Sequence, residues 1–311
     1  MPEDINSENY EPDTNVQADE VYVKEKFEDT SPQAQQKVEH ELTRWQAIKE
    51  YPKSFGWCMG IVWAMILVGY ENQASGIVLS IPQFRQDFGY YYDGSYVLPS
   101  NWQSAITGGP LGAIALSSFC SSYLSDRFGR KWVLSFAILF TIPFVTMEFV
   151  ATTIQIFFVG KFLNALCLGV ISTIGITMAS EYSPMALRGF IVACCSLSLC
   201  VGPFICYLIN NTTSAYTTRM AYRGVFLPQW IFSITCLPLF FMPESPFWLL
   251  KVNRHDAARK SLLRLFNPVQ AEQQFGLMLT TVEESIKISD SSTYADCFRK
   301  KDIRRTLIVL F

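Results

Sequence analysis

Six stretches of this chain run for about 20 residues with almost no Asp, Glu, Lys or Arg, the length a helix needs to cross the apolar core of a bilayer. Within a few residues they are 54–80, 101–123, 132–151, 155–179, 190–210 and 225–242. Lipid offers backbone N–H and C=O groups no partners, so such runs persist there as helices. A seventh begins after Arg305 with Leu307-Ile308-Val309-Leu310, and the sequence ends at Phe311. With 50% hydrophobic and only 17% charged residues, the chain is too apolar for an ordinary soluble domain. An all-α polytopic membrane protein is the expected fold class.

The charges divide the rest of the chain. Residues 1–53 read as an acidic, mostly disordered tail with no signal-peptide pattern, ending in a segment, 35–51, where Val38, Leu42, Trp45 and Ile48 recur at helical spacing. Residues 54–242 form the expected six-helix bundle. Residues 243–305 form a polar linker, with 306–311 the start of the seventh run. The linker carries two amphipathic segments, one with Ala258, Leu262, Leu265 and Phe266, the other with Phe275, Leu277, Leu279, Val282 and Ile286. Asn253 followed by Asp256 suggests an N-terminal cap for the first.

Lys and Arg near the ends of spans mark the cytoplasmic side. They gather between runs two and three (Arg127, Arg130, Lys131), between four and five (Arg188), and after run six (Lys251, Arg254, Arg259, Lys260, Arg264). The loop between runs one and two, with Arg85 against Asp87 and Asp93, and the base-free loop between three and four then lie outside, which leaves the N-terminus cytoplasmic. Overlapping sequons on the outer side make Asn210 and Asn211 candidate glycosylation sites. Segregated charge of this kind offers no nucleic-acid-binding face. Eight of nine cysteines fall in apolar runs, where a thiol acts as a small hydrophobe, and His40 and His255 stand apart from any Cys-x-x-Cys spacing. No cofactor, metal or enzymatic constellation is expected.

Three blocks at span ends carry the resemblance. Asp126-Arg127-Phe128-Gly129-Arg130-Lys131 closely resembles the D-R-x-G-R-[RK] signature loop of the major facilitator superfamily. Gly129 permits a tight turn, Asp126 can accept from a helix N-terminus, and the arginines can pair with acids across an interface. Glu181-Tyr182-Ser183-Pro184-Met185-Ala186-Leu187-Arg188-Gly189 is similar to the sugar-porter E-x-x-P-x-x-x-R-G block, and Pro243-Glu244-Ser245-Pro246-Phe247-Trp248-Leu249-Leu250 to the P-E-S-P-R-[WFY]-L-L block that ends the sixth span. Two departures stand out. Ser122 replaces the usual Gly four residues before the Asp, and Phe247 replaces an Arg, which removes one interhelix ion pair.

The resemblance implies the N-terminal half of a major facilitator fold, in the sugar-porter branch. Ala47-Ile48-Lys49-Glu50-Tyr51-Pro52-Lys53, Gly69-Tyr70-Glu71, Ser100-Asn101-Trp102-Gln103 and Thr293-Tyr294-Ala295-Asp296-Cys297 place it nearest the fungal maltose and alpha-glucoside permeases. It implies sugar and protons as partners, the lipid bilayer as environment, and the plasma membrane as location.

An ionisable residue at a helix centre in the membrane costs roughly 2.5–3.5 kcal/mol on insertion scales, so Glu71 and Lys161 are candidates for function. The resemblance implies that they face each other. A conformational change altering their separation would then change the acid's hold on a proton. Glu148 has no counterpart in the family pattern and is read as an interface residue. Ser196, Gln103, Asn72 and Gln229 are candidate sugar contacts, and Gly108-x-x-x-Gly112 a helix-packing motif. A facilitator for another solute and a non-transporting half that acts as a sensor are the alternatives.

Overall fold

The computed structural model describes residues 43–291. The acidic tail, including Val38, Leu42 and His40, and the segment holding Thr293–Cys297, Arg305 and the seventh run lie outside the described residues.

The chain runs α1 (Arg44–Glu50), α2 (Pro52–Ser80), α3 (Pro82–Phe88), a hairpin of β1 (Tyr90–Tyr92) and β2 (Ser95–Val97), then α4 (Ser100–Phe128), α5 (Arg130–Val150), α6 (Ile154–Tyr182) and α7 (Met185–Thr213). After it come the short α8 (Met220–Arg223) and α9 (Leu227–Thr235), a 3-10 turn (Leu237–Phe241), and three linker helices, α10 (Pro246–Lys251), α11 (His255–Leu265) and α12 (Pro268–Ser291). By length and apolarity, five stretches qualify to cross a membrane: α2, α5, α6, α7 and, taken together, Met220–Phe241. Helix α4 is as long as α2 at 29 residues but is rich in Ser and Gly.

The boundaries follow local chemistry. Proline opens α2, α3 and α12, where its missing N–H costs nothing. Thr43 and Gln46 form a capping box at α1. Thr153 caps α6, accepting from the Ile156 amide at 3.5 Å. A single residue, Gly129 at φ +94°, separates α4 from α5. Asp93 and Gly94, both at positive φ, close the β1–β2 hairpin as a two-residue turn.

Two expectations need correction, the unbroken sixth helix and the Asn253 cap. The sixth run is broken instead of forming one helix over 225–242, because Pro228 and Pro238 each withhold an amide and start a new helical segment. Helix α1 packs on the bundle through Ala47 and the half-buried Ile48, leaving Trp45 78% exposed. Asn253 is not a cap for α11. At φ +58° it ends α10 in a Schellman arrangement, with its amide on the Leu250 carbonyl at 3.0 Å and the Arg254 amide on Leu249 at 2.9 Å. In the outer loop Asp87 pairs with Arg219 at 3.1 Å, and Arg85 Nε donates to the Leu79 carbonyl at 2.8 Å.

Helix α6 sits centrally, packed on α2, α4, α5 and α7. Leu116, Phe119, Phe140, Leu197, Phe204 and Ile231 are each more than half exposed, a surface suited to lipid. Outward hydroxyls are satisfied within their own helices, Thr107 on the Gln103 carbonyl at 2.9 Å and Ser118 on Ile114 at 2.8 Å. The linker buries Ala258, Leu262, Leu265, Phe266, Phe275 and Val282, while Leu277 and Leu279 are half-buried and Ile286 lies beyond the described side chains.

The tightest crossing is between α2 and α7. A Cβ on Gly202 would collide with the Tyr70 amide nitrogen and the Ile66 carbonyl oxygen, and one on Gly69 would lie 2.9 Å from the Leu199 carbonyl. Gly108 and Gly112, the expected packing motif, face open space instead. Gly202→Ala is therefore expected to destabilise the protein by roughly 1–3 kcal/mol through backbone overpacking. Gly108→Ala, with no clash to make, should leave the melting temperature in detergent unchanged or slightly raised.

Candidate functional site

Two polar constellations occupy the bundle. The first lies at its centre, where Glu71 of α2, Glu148 of α5, and Lys161 and Asn164 of α6 are each at most 3% exposed. Lys161 Nζ donates to Oε1 of Glu71 and lies 3.1 Å from Oε2 of Glu148. Gln229 Nε2, from α9, donates to the other oxygen of Glu71, and Asn164 Nδ2 donates to Oε1 of Glu148 at 3.2 Å. The Phe226 ring centroid lies 5.0 Å from the ammonium, within cation–π range.

Small features of the sequence build this centre. Gly160 lacks the Cβ that would meet Glu148 Cγ at 3.0 Å and the Glu148 amide nitrogen at 3.3 Å, so α5 can bring its carboxylate up to Lys161. Asn164 is three residues beyond Lys161 and so shares its helix face. The Tyr70 hydroxyl donates to the Val225 carbonyl at 2.7 Å, tying α2 to the break before α9 and turning Phe226 and Gln229 inward. The Cys206 thiol of α7 stands beside that hydroxyl.

Glu71 and Lys161 thus meet. Glu148, read from the sequence as an interface residue, belongs with them, and the signal was available: an acid inside an apolar run needs a partner as much as Glu71 does. Gln229, a candidate sugar contact, is fully buried and holds Glu71. The other three candidates lie apart from it and are exposed. Ser196 Oγ bonds to its own helix at Val192, 3.2 Å away, and Asn72 faces outward. Gln103 bonds the Leu98 carbonyl at 2.8 Å and lines a cavity of about 470 Å³ with Gly76, Ser80 and Arg85.

The second constellation joins the three motif blocks. Arg130 pairs with Glu181, and the Ser245 hydroxyl donates to the same carboxylate at 2.6 Å. Ser245 also caps α10, accepting from the Trp248 amide at 3.3 Å. Glu244 accepts the Lys131 amide at 2.9 Å, so its carboxylate sits on the N-terminus of α5, where the helix dipole favours it. Asp126 pairs with Lys251 at 3.1 Å, and its carbonyl accepts from Trp248 Nε1 at 2.9 Å. Gly129 is obligatory here, since a Cβ would lie 2.7 Å from Glu244 Oε2 and the backbone angle disfavours one.

Of the two arginines that could serve Glu181, the structure selects Arg130. Arg127 is exposed, 3.3 Å from the Tyr123 hydroxyl and 5.9 Å from the Phe128 ring. Phe247, standing where the family pattern has Arg, places its ring 5.8 Å from the Arg130 guanidinium, so a cation–π contact replaces the missing ion pair. Ser122 lines a cavity of about 130 Å³ with Ser125, Asp126, Arg130 and Thr177. Arg188 is exposed beside a cavity of about 430 Å³ that Glu181, Phe247 and Gln274 also line. Asn210 and Asn211 fall in the last turn of α7, the first half-buried and the second exposed.

Compared with known proteins, residues 57–311 match the family model described as "Sugar (and other) transporter". The chain belongs to that family. Among curated members, the alpha-glucosides permease MPH3 of Saccharomyces cerevisiae is 27% identical over 97% of this chain and 52% of its own length. The maltose permease MAL31 of the same yeast is 27% identical over 83% of this chain and 44% of its own. This sugar-transporter-family chain therefore spans about half the length of the curated relatives it matches.

Among solved structures, the major facilitator proton:xylose symporter XylE, bound to 6-bromo-6-deoxy-D-glucose, superposes with a TM-score of 0.63 at 16% identity, covering 76% of this chain and 54% of XylE. A partially occluded inward-open form of the E. coli protein gives 0.64 over 75% and 60%. The fold is that of the major facilitator proteins, as the three motif blocks implied, and the chain is a membrane protein.

The motif junction should dominate stability at its end of the bundle. Arg130→Met strands the Glu181 carboxylate in a nearly buried site and is expected to cost about 3 kcal/mol or more. Lys251→Ala, which removes an exposed pair with Asp126, should cost about 0.5 kcal/mol. Thermal unfolding of the two variants in the same detergent checks the contrast.

Proposed function

We propose that this chain is the N-terminal half of a proton-coupled permease for alpha-glucosides of the maltose type. The observation that carries the proposal is the buried pair of Glu71 and Lys161, braced by Gln229, in a member of the sugar transporter family. A carboxylate and an ammonium out of contact with water are costly to keep and sensitive to small changes in separation. A conformational change that draws α2 from α6 alters the acid's hold on a proton, and coupling requires that link. The names of the curated relatives, alpha-glucosides permease and maltose permease, support the substrate class.

In this reading, residues 54–242 form one rocking bundle, and its counterpart is the half that the longer relatives also carry. The junction of Arg130, Glu181 and Ser245 faces the cytosol and holds the cytosolic ends of α4, α5 and α6 against α10. Residues 1–53 and 243–305 are cytosolic and the membrane is the plasma membrane. Lys and Arg concentrate at that end, and Asn211, exposed at the opposite end, is the better placed of the two sequon asparagines. Asn72, Gln103 and Ser196, all exposed on this half, remain available to a sugar held between the halves.

Uptake of labelled maltose and glucose by vesicles containing this chain, at two external pH values, tests the function. Maltose uptake is expected to rise at the more acidic pH and, in Glu71→Gln, to lose that dependence. Uptake of another solute with no pH dependence would instead favour a facilitator. No uptake by correctly inserted protein would sink transport by this chain. A reporter placed in the turn at Gly129 should read as cytosolic, and an external reading overturns the assigned orientation.

A further inference from the structure

The central cluster holds more acid than the pairing of Glu71 with Lys161 uses. Two carboxylates and one ammonium, all buried, would carry a net negative charge out of water, an expensive arrangement unless a proton offsets it. The remaining neighbours do not supply the missing positive charge. Around Glu148, α2 contributes Glu71, α6 contributes Lys161 and the neutral Asn164, and α9 contributes the neutral Gln229. The Tyr70 hydroxyl and the Cys206 thiol lie on the Glu71 side. From α8, Arg223 stacks on the Phe149 ring at 5.5 Å and forms no ion pair among the described residues. The 3-10 turn packed on α5 has no titratable residue, and those of α4 (Cys120, Tyr123, Asp126, Arg127) lie toward its Gly129 end.

The hydrogen bonds show a near-symmetry about Lys161. Each carboxylate has one carboxamide partner, Gln229 for Glu71 and Asn164 for Glu148, and in each the amide nitrogen donates while the amide oxygen is buried without a partner. A half-turn of either amide exchanges donor for acceptor, so each partner can serve a carboxylate or a carboxylic acid equally well. The symmetry is broken only by the lysine, which donates to Glu71. Its contact with Glu148 Oε2 is the longer of the two, an ion pair at 3.1 Å.

We propose that Glu71 and Glu148 share a single proton around Lys161: the carboxylate that Lys161 engages stays ionised, and the other carries the proton. In the conformation described, Glu71 is the ionised member and Glu148 the acid. When the ammonium swings from Glu71 to Glu148, the O–H bond on Glu148 breaks and that same proton forms the O–H bond on Glu71, so Glu148 becomes the counter-charge and the cluster keeps its one shared proton. The proposal rests on the coupling role of Glu71 only for its consequence in transport, and the proton sharing can be tested without it.

Infrared spectroscopy of the full chain in lipid vesicles reads the carbonyl stretch of buried carboxylic acids directly. At neutral pH the wild type should show one such band, resistant to exchange with bulk water. Glu148→Gln and Glu71→Gln should each abolish it, because either leaves one carboxylate balanced by Lys161. Should a glutamine variant fail to insert, Glu148→Asp keeps the acid and must move the band in frequency. Absence of the band in the wild type, its survival in either glutamine variant, or an unmoved band in Glu148→Asp overturns the proposal. If the band behaves as expected while uptake keeps its pH dependence in Glu71→Gln, the coupling role fails and the shared proton stands. The opposite pair of results separates them the other way.

Discussion

An ammonium at the centre of an apolar bundle has to be surrounded by something negative, and most of this architecture can be read as the means of doing so. Lys161 is fully buried on the most central helix, and charges in that position are tolerated only when well partnered. Its charged partners come from α2 and α5, and Gln229 ties α9 to the same point through Glu71. Gly160, the residue before the lysine, clears the space for α5. The break before α9, which a continuous sixth helix would not contain, turns Phe226 and Gln229 toward the same point.

The second fixed point works on a different principle. At the Gly129 end the charges are partly wet, and hydrogen bonds to backbone do much of the holding: Glu244 on the α5 amide, Ser245 on the α10 amide, Trp248 on the Asp126 carbonyl. A turn reduced to one glycine lets these three motif blocks meet. The exchange of Arg for Phe at position 247 shows how much latitude the junction has, since an aromatic face still occupies the arginine's side.

The broad fold was legible because lipid imposes a length and a composition on whatever crosses it, and each of the first six expected runs has helix over most of its extent. What was harder to read depended on local competition. Pro228 and Pro238 were visible as residues, but whether a proline kinks, starts or breaks a helix depends on its surroundings. Asn253 could have capped α11 or ended α10, and its left-handed backbone decides for the latter. Glu71 and Lys161 were legible by the cost of burying charge, and that reasoning applied equally to Glu148. Gln229 was found but given another task, because spacing cannot tell an amide that bonds a carboxylate from one open to a ligand.

The contact between Gly69 and Gly202 bears on how the bundle can move. Where two helix backbones touch, no layer of side chains remains to re-pack, so α2 and α7 are geared together as one rigid lever. Between α2 and α6 the situation differs: a Cβ added at Gly175 would only just reach the side chains of Ile61 and Met65, and those rotatable chains can absorb a slide. Glu71 rides on the lever and Lys161 on its bearing surface. Shear between these two helices would therefore act on the contact between Glu71 and Lys161.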